Sequence, residues 1–131
     1  MVGTSPEEHH ANAANILFEL GHYRRCITQC NKYLGYSESD QVQAMLAYCH
    51  SVYQEWEQAA LAYRSISTLW SDPRFALGLA EVEFRSGNLA EARKIVATIE
   101  ASHDRLPSDV EASIEYLNSE FGRSSNVVQG N

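Results

Sequence analysis

The stretch Gly21-His22-Tyr23-Arg24-Arg25-Cys26 decides the fold, because the chain repeats its pattern twice more. Gln54-Glu55-Trp56-Glu57-Gln58-Ala59 and Gly87-Asn88-Leu89-Ala90-Glu91-Ala92 follow it at successive intervals of thirty-three residues. Upstream, Ala14, Ala47 and Ala80 keep that register, preceded by Ala13, Leu46 and Leu79. Downstream, Cys30, Tyr63 and Val96 match, as do Tyr33, Ile66 and Ile99. One small–turn–bulky coincidence would carry no weight, but so many columns in register across three units mark an internal repeat of roughly 20–50 residues, the signature of a solenoid.

Each column has a physical reading. A small residue midway along a first helix lets a second helix pack closely against it. A turn glycine lets the chain leave a helix through a left-handed conformation. The bulky residue two positions on, Tyr23, Trp56 or Leu89, plugs the gap between the helices. The small residue at Cys26, Ala59 and Ala92 sits where the paired helices approach. A single hairpin cannot bury its apolar faces, so neighbouring units must stack.

The pattern resembles the tetratricopeptide repeat family over residues 6–102, most closely in the third unit at Leu79-Ala80, Gly87, Leu89, Ala92 and Ile99. The first unit departs most: His10 stands where a large apolar residue is usual, and Ala13 where leucine is. In the second unit Gln54 replaces glycine. The resemblance implies an all-α fold, a right-handed solenoid of three helix–turn–helix repeats with a C-terminal capping helix. The expected layout is a flexible start over 1–5, repeats over 6–38, 39–71 and 72–104 within the span 6–106, a capping helix over 107–122 and a flexible tail over 123–131.

Local signals place the helices. Ser5-Pro6-Glu7-Glu8 opens the first, with proline at its first position and acid in its first turn, and it runs to Leu20. Its partner spans Tyr23 to Leu34. The second pair is expected over Gln41 to Tyr53 and Glu55 to Trp70. Asp72-Pro73 opens a helix to Ser86, and Asn88 is expected to cap one to Ser102. Ser108 and Glu111 have the spacing of a capping box. Behind them, Val110, Ile114, Leu117 and Phe121 make one apolar stripe, suited to cover the open end of the third unit.

Composition narrows the function classes. The chain has 131 residues, 44% of them hydrophobic, which matches one globular domain. Its formal net charge of -7 repels phosphate backbones and anionic lipid, so nucleic acid is not the expected partner. No apolar run reaches the length of about 20 residues that a membrane-spanning helix needs. The first residues lack the basic and apolar segments of a secretory signal. Three cysteines, Cys26, Cys30 and Cys49, form no paired framework and point to a reducing, cytoplasmic setting.

Candidate chemistry is sparse. His9 and His10 are adjacent, so on a helix they point about 100° apart and share no metal easily. His22, His50 and His103 lie in separate elements. Cys26 and Cys30 are four apart on one helix but fall on packing columns, where a thiol fills space. No nucleophile–base arrangement and no glycine-rich phosphate loop stands out. The expectation is no enzyme, no metal and no cofactor.

In the tetratricopeptide family the first helix of each unit lines a concave face. By register, the resemblance places Asn15, Phe18 and Glu19 there from the first unit. Tyr48, Ser51 and Val52 come from the second, and Arg74, Leu77, Glu81, Phe84 and Arg85 from the third. Phe18, Leu77 and Phe84 have a competing role as helix-packing core. Together Phe18, Tyr48 and Phe84 would line an aromatic trough, suited to an apolar peptide or amphipathic helix of another protein. Repeats that grip a C-terminal carboxylate use clustered Lys and Asn, and only Asn15 fits, which disfavours carboxylate capture.

The third unit, Asp72-Pro73-Arg74-Phe75 with Ala80-Glu81 and Gly87 to Ala92, also resembles the last repeat of bacterial type III secretion chaperones for translocator proteins. Those chaperones carry a longer N-terminal segment. That resemblance implies a chaperone that holds an aggregation-prone secretion substrate until export. The alternative is a scaffold subunit, or a terminal fragment of a longer repeat array, in a stable complex. It would expose a second apolar patch, around Tyr33, Tyr36 and Trp70. Homo- or hetero-dimerisation is compatible with either reading.

Overall fold

A computed structural model describes residues 5–129, with side chains from 5 to 123. The described residues form seven α-helices and no strand, in agreement with the all-α, helical-hairpin reading. The chain divides into two compact units, Met1–Thr68 and Leu69–Asn131. The first holds α1 (Pro6–Glu19), α2 (Tyr23–Leu34), α3 (Asp40–Val52) and α4 (Trp56–Arg64), each packed on the next. The second holds α5 (Pro73–Arg85), α6 (Leu89–Ser102) and α7 (Ser108–Gln129), which pack on one another pairwise.

The repeat is written into the backbone. Gly21, Gln54 and Gly87 all hold positive φ, at 78°, 58° and 91°. Around each, two hydrogen bonds close the helix end in the same way. Gly21 N–H donates to the Phe18 carbonyl and His22 N–H to that of Leu17. Gln54 and Glu55 donate to Ser51 and His50, and Gly87 and Asn88 to Phe84 and Glu83. This is the Schellman arrangement, which satisfies carbonyls that a helix end otherwise orphans. The next position has φ near -86° and ψ near 68° in all three turns. Gln54 therefore adopts the left-handed turn conformation without being glycine.

The small columns pack as their size demands. Ala14, Ala47 and Ala80 are at most 1% exposed, and Cys26, Ala59 and Ala92 are wholly buried. Cys30 and Cys49 are also wholly buried, and the Cys26 thiol donates to the Ala14 carbonyl at 3.3 Å. Burial pushes the Cys49 thiol up to about 12 and the Cys30 thiol higher still, with Cys26 adding to both. The three thiols are core fillers. His10 accommodates its unusual position by bonding Gln29 at 2.7 Å and stacking on Tyr36.

Two helix ends and two caps differ from expectation. Helix α4 ends at Arg64 rather than Trp70. Its continuation Ser65-Ile66-Ser67-Thr68 consists of weak helix formers, and Asp40 offers their amides a better acceptor. The Asp40 carboxylate accepts from the Ser67 and Thr68 N–H groups at 2.9 and 3.2 Å, and from both hydroxyls. Helix α7 continues to Gln129, so the backbone from 123 to 129 is helical where a loose tail was expected. Pro107, not Ser108, holds the cap position of α7, since Glu111 N–H donates to the Pro107 carbonyl. Asn88 makes no side-chain cap either; its amide donates to the Glu83 carboxylate at 2.7 Å.

The α7 stripe is as anticipated: Val110, Ile114, Leu117 and Phe121 are all buried. Each such side chain contributes about 1.5–3 kcal/mol relative to exposure.

Candidate protein-binding site

Helices α1 and α3 bring Phe18 and Tyr48 together in the first unit. Their ring centroids lie 5.3 Å apart, and Tyr23 completes a triangle at 5.7 Å from Phe18 and 5.8 Å from Tyr48. All three pairs meet edge to face, the geometry the ring quadrupoles favour. Tyr23 comes from the turn column, whose role in sequence is to plug the helix gap; that it borders the candidate surface was not foreseen. Its hydroxyl is held above the usual range, by desolvation first and by the Tyr48 hydroxyl second. Tyr48 is 46% exposed and Val52 43%, while Phe18 is half-buried and Asn15 exposed. Phe18 thus both packs and borders solvent.

Beside the trio, polar groups fix the α3–α4 turn. The Glu55 carboxylate meets the His50 ring at 2.8 Å and the Arg24 guanidinium at 3.1 Å. The His50 bond, then the Arg24 bond, hold the Glu55 carboxyl below its ordinary range. Arg24 also lies 3.9 Å over the Tyr53 ring, and its N–H donates to the Tyr53 hydroxyl. His50 and Glu55 occupy the same repeat columns as Glu83 and Asn88, which join in the third turn. These cross-turn pairs lock the ends of the helices that carry Tyr48 and Phe84.

In the second unit α5 and α7 enclose a cleft of about 330 Å³ lined by Glu81, Phe84, Arg85, Tyr116 and Leu117. Three of these were expected from register. Tyr116 and Leu117 were not, because they belong to the helix read as a cap; alternation of exposed and buried positions along α7 was the available signal. Phe84 packs edge to face on Phe121 at 5.9 Å, and Arg93 donates to the Phe121 carbonyl at 2.7 Å. Two expected contact residues are otherwise engaged. Leu77 is only 8% exposed, so most of its side chain is packed in the core. Arg74 pairs with Asp109 at 2.9 Å, bridging the starts of α5 and α7.

A cleft of about 670 Å³ lies in the first unit beside Ser39 and Asp40, but the Asp40 carboxylate there is taken up by the tie to Ser67 and Thr68. Among the described residues no group of His, Cys, Asp or Glu could hold a metal ion, and no helix is long and apolar enough to cross a membrane.

No family model matches the chain, and no curated protein matches it in sequence. Solved structures do. The Yersinia enterocolitica type III secretion chaperone SycD, solved with a peptide of the translocator YopD, superposes with a TM-score of 0.74. Identity is 17%, over 90% of this chain and 96% of that one. The two chains share a fold. SycD solved as an alternative dimer matches with a TM-score of 0.73 over the same coverage. PcrH, in complex with the chaperone-binding region of PopD, matches with a TM-score of 0.72 and 16% identity over 100% of this chain and 99% of that one. The fold is therefore that of the SycD and PcrH chains.

Proposed function

We propose that this chain is a tetratricopeptide-family chaperone or adaptor that holds a segment of a partner protein and performs no catalysis. It is read by analogy with the chaperones of type III secretion translocators, with the cytoplasm as its place of action. The observation that carries this reading is fold likeness over nearly the whole chain to SycD, solved with a peptide of the translocator YopD, and to PcrH, solved with the chaperone-binding region of PopD. The partner segment is an apolar peptide or amphipathic helix laid on the exposed edges of Phe18, Tyr48 and Val52, with further contacts from Asn15. Aromatic edges supply large contact area with few rotatable bonds to immobilise. A second copy of the chain is an admissible partner for other surfaces, notably the exposed Ile16 and Leu20 of α1.

Affinity capture from the native cell, with wild type beside a Phe18→Ala/Tyr48→Ala variant shown to remain folded, tests the reading. One dominant partner, lost with the double change, is the expected result. Retention of every partner by the folded variant would remove the aromatic trio from the binding surface.

A further inference from the structure

The α5–α7 cleft contains an unusual carboxylate. Glu81 is half-buried, and no hydrogen bond or ion pair to it is present among the described residues. Its floor is apolar: Leu117 is 2% exposed and Phe84 is braced from behind by Phe121. Its outer wall is Tyr116, 61% exposed. Desolvation pushes the Glu81 carboxyl above its ordinary range, with the Arg85 charge opposing. A desolvated carboxylate without a donor is costly, and a cation that brings its own donors relieves that cost.

Resting on the chaperone reading above, we infer that this cleft is a subsite for one arginine side chain of the partner protein. The guanidinium donates to Glu81 and lies against the Tyr116 and Phe84 rings, while its methylenes cover Leu117. Arginine suits the cleft better than lysine, because a planar, weakly hydrated guanidinium stacks on rings and forks onto a carboxylate. The volume, about 330 Å³, lies at the small end of the roughly 300–1,000 Å³ range of ligand sites, which fits one long side chain and little more. The second unit, Leu69–Asn131, has ten Asp and Glu against six Lys and Arg, so its field also favours a cationic visitor. Arg85 opposes entry and so sets the affinity.

The test is an amide-resolved NMR titration of the whole chain with N-acetyl-arginine methylamide, and with the citrulline analogue as its uncharged near-isostere. Saturable shifts at Glu81, Arg85 and Tyr116 are expected with the arginine compound. Affinity should fall about fivefold or more with citrulline and with Glu81→Gln, and rise with Arg85→Ala, as expected for a charge-assisted contact on an aromatic wall. Equal binding of both compounds, an unchanged affinity in Glu81→Gln, or no saturable shift would overturn the proposal. The outcome is separable from partner capture: an intact partner dependence on Phe18 and Tyr48 with a silent cleft sinks the subsite alone.

Discussion

Gln54 bears a conformation that its repeat counterparts leave to glycine. A non-glycine residue in the left-handed region costs about 1–2 kcal/mol, partly offset by the greater chain entropy that glycine loses on folding. Gln54→Gly should therefore stabilise the protein by about 0.5–1 kcal/mol in thermal or denaturant melts. Gly87→Ala should destabilise it by about 1 kcal/mol. A Cβ at Gly87 meets nothing within 4 Å, so that loss is conformational and no clash contributes. A stabilising Gly87→Ala would mean the turn is free to change its shape. Asp40 makes the second residue-scale prediction. The Thr68 hydroxyl first, then the Ser67 amide, hold its carboxyl below the ordinary range. The stabilisation from this tie is thus fully present above the ordinary aspartate range and is lost as pH falls through the lower, folded value. Asp40→Ala should lower the melting temperature near neutral pH, and the gap from wild type should narrow as the solution is made strongly acidic. A gap independent of pH would show that the carboxylate charge is not what holds residues 65–68.

At the scale of elements, α7 contributes to the fold and borders the cleft with adjacent residues. Leu117 is 2% exposed and Tyr116 is 61% exposed. Leu117→Ala should cost about 2–5 kcal/mol, as buried leucine truncations do. Tyr116→Ala should change stability by less than about 0.5 kcal/mol while weakening arginine binding in the cleft. Denaturant melts of the two variants side by side decide this, and similar losses would mean that Tyr116 is packing rather than presenting a ring. The stripe of Val110, Ile114, Leu117 and Phe121 was legible because helical period alone puts these residues on one face. The end of α4 was not. Ser65-Ile66-Ser67-Thr68 are weak helix formers, yet propensity is a small bias, and what stops the helix is a carboxylate twenty-seven residues upstream in sequence. Likewise Asn88, a good cap by type, turns its side chain to Glu83 instead, and its backbone, at φ -89° and ψ 67°, is outside the extended region typical of a capping residue.

For the molecule as a whole, the three thiols report on cooperative unfolding of the first unit. Cys26, Cys30 and Cys49 are wholly buried, and burial holds the Cys30 and Cys49 thiols protonated far above neutral pH. A thiol reagent at neutral pH should find no fast-reacting cysteine in the native protein and all three in denaturant, since the thiolate is the reactive form. A fast-reacting thiol under native conditions would show local opening of the α1–α3 packing.

The sequence by itself determined the period of thirty-three residues, the identity of the packing columns and the apolar face of α7. Those features depend on local sterics and helical geometry, which act between residues close in the chain. Tertiary structure alone decided that Leu77 is core while Tyr48 and Val52 face solvent, that Tyr23 joins the aromatic trio, and that α7 walls a cleft over Glu81. The register of a first helix specifies a face, but whether a residue on that face is covered depends on which neighbour packs against it. That neighbour is brought in by chain folding over distances that no local pattern encodes.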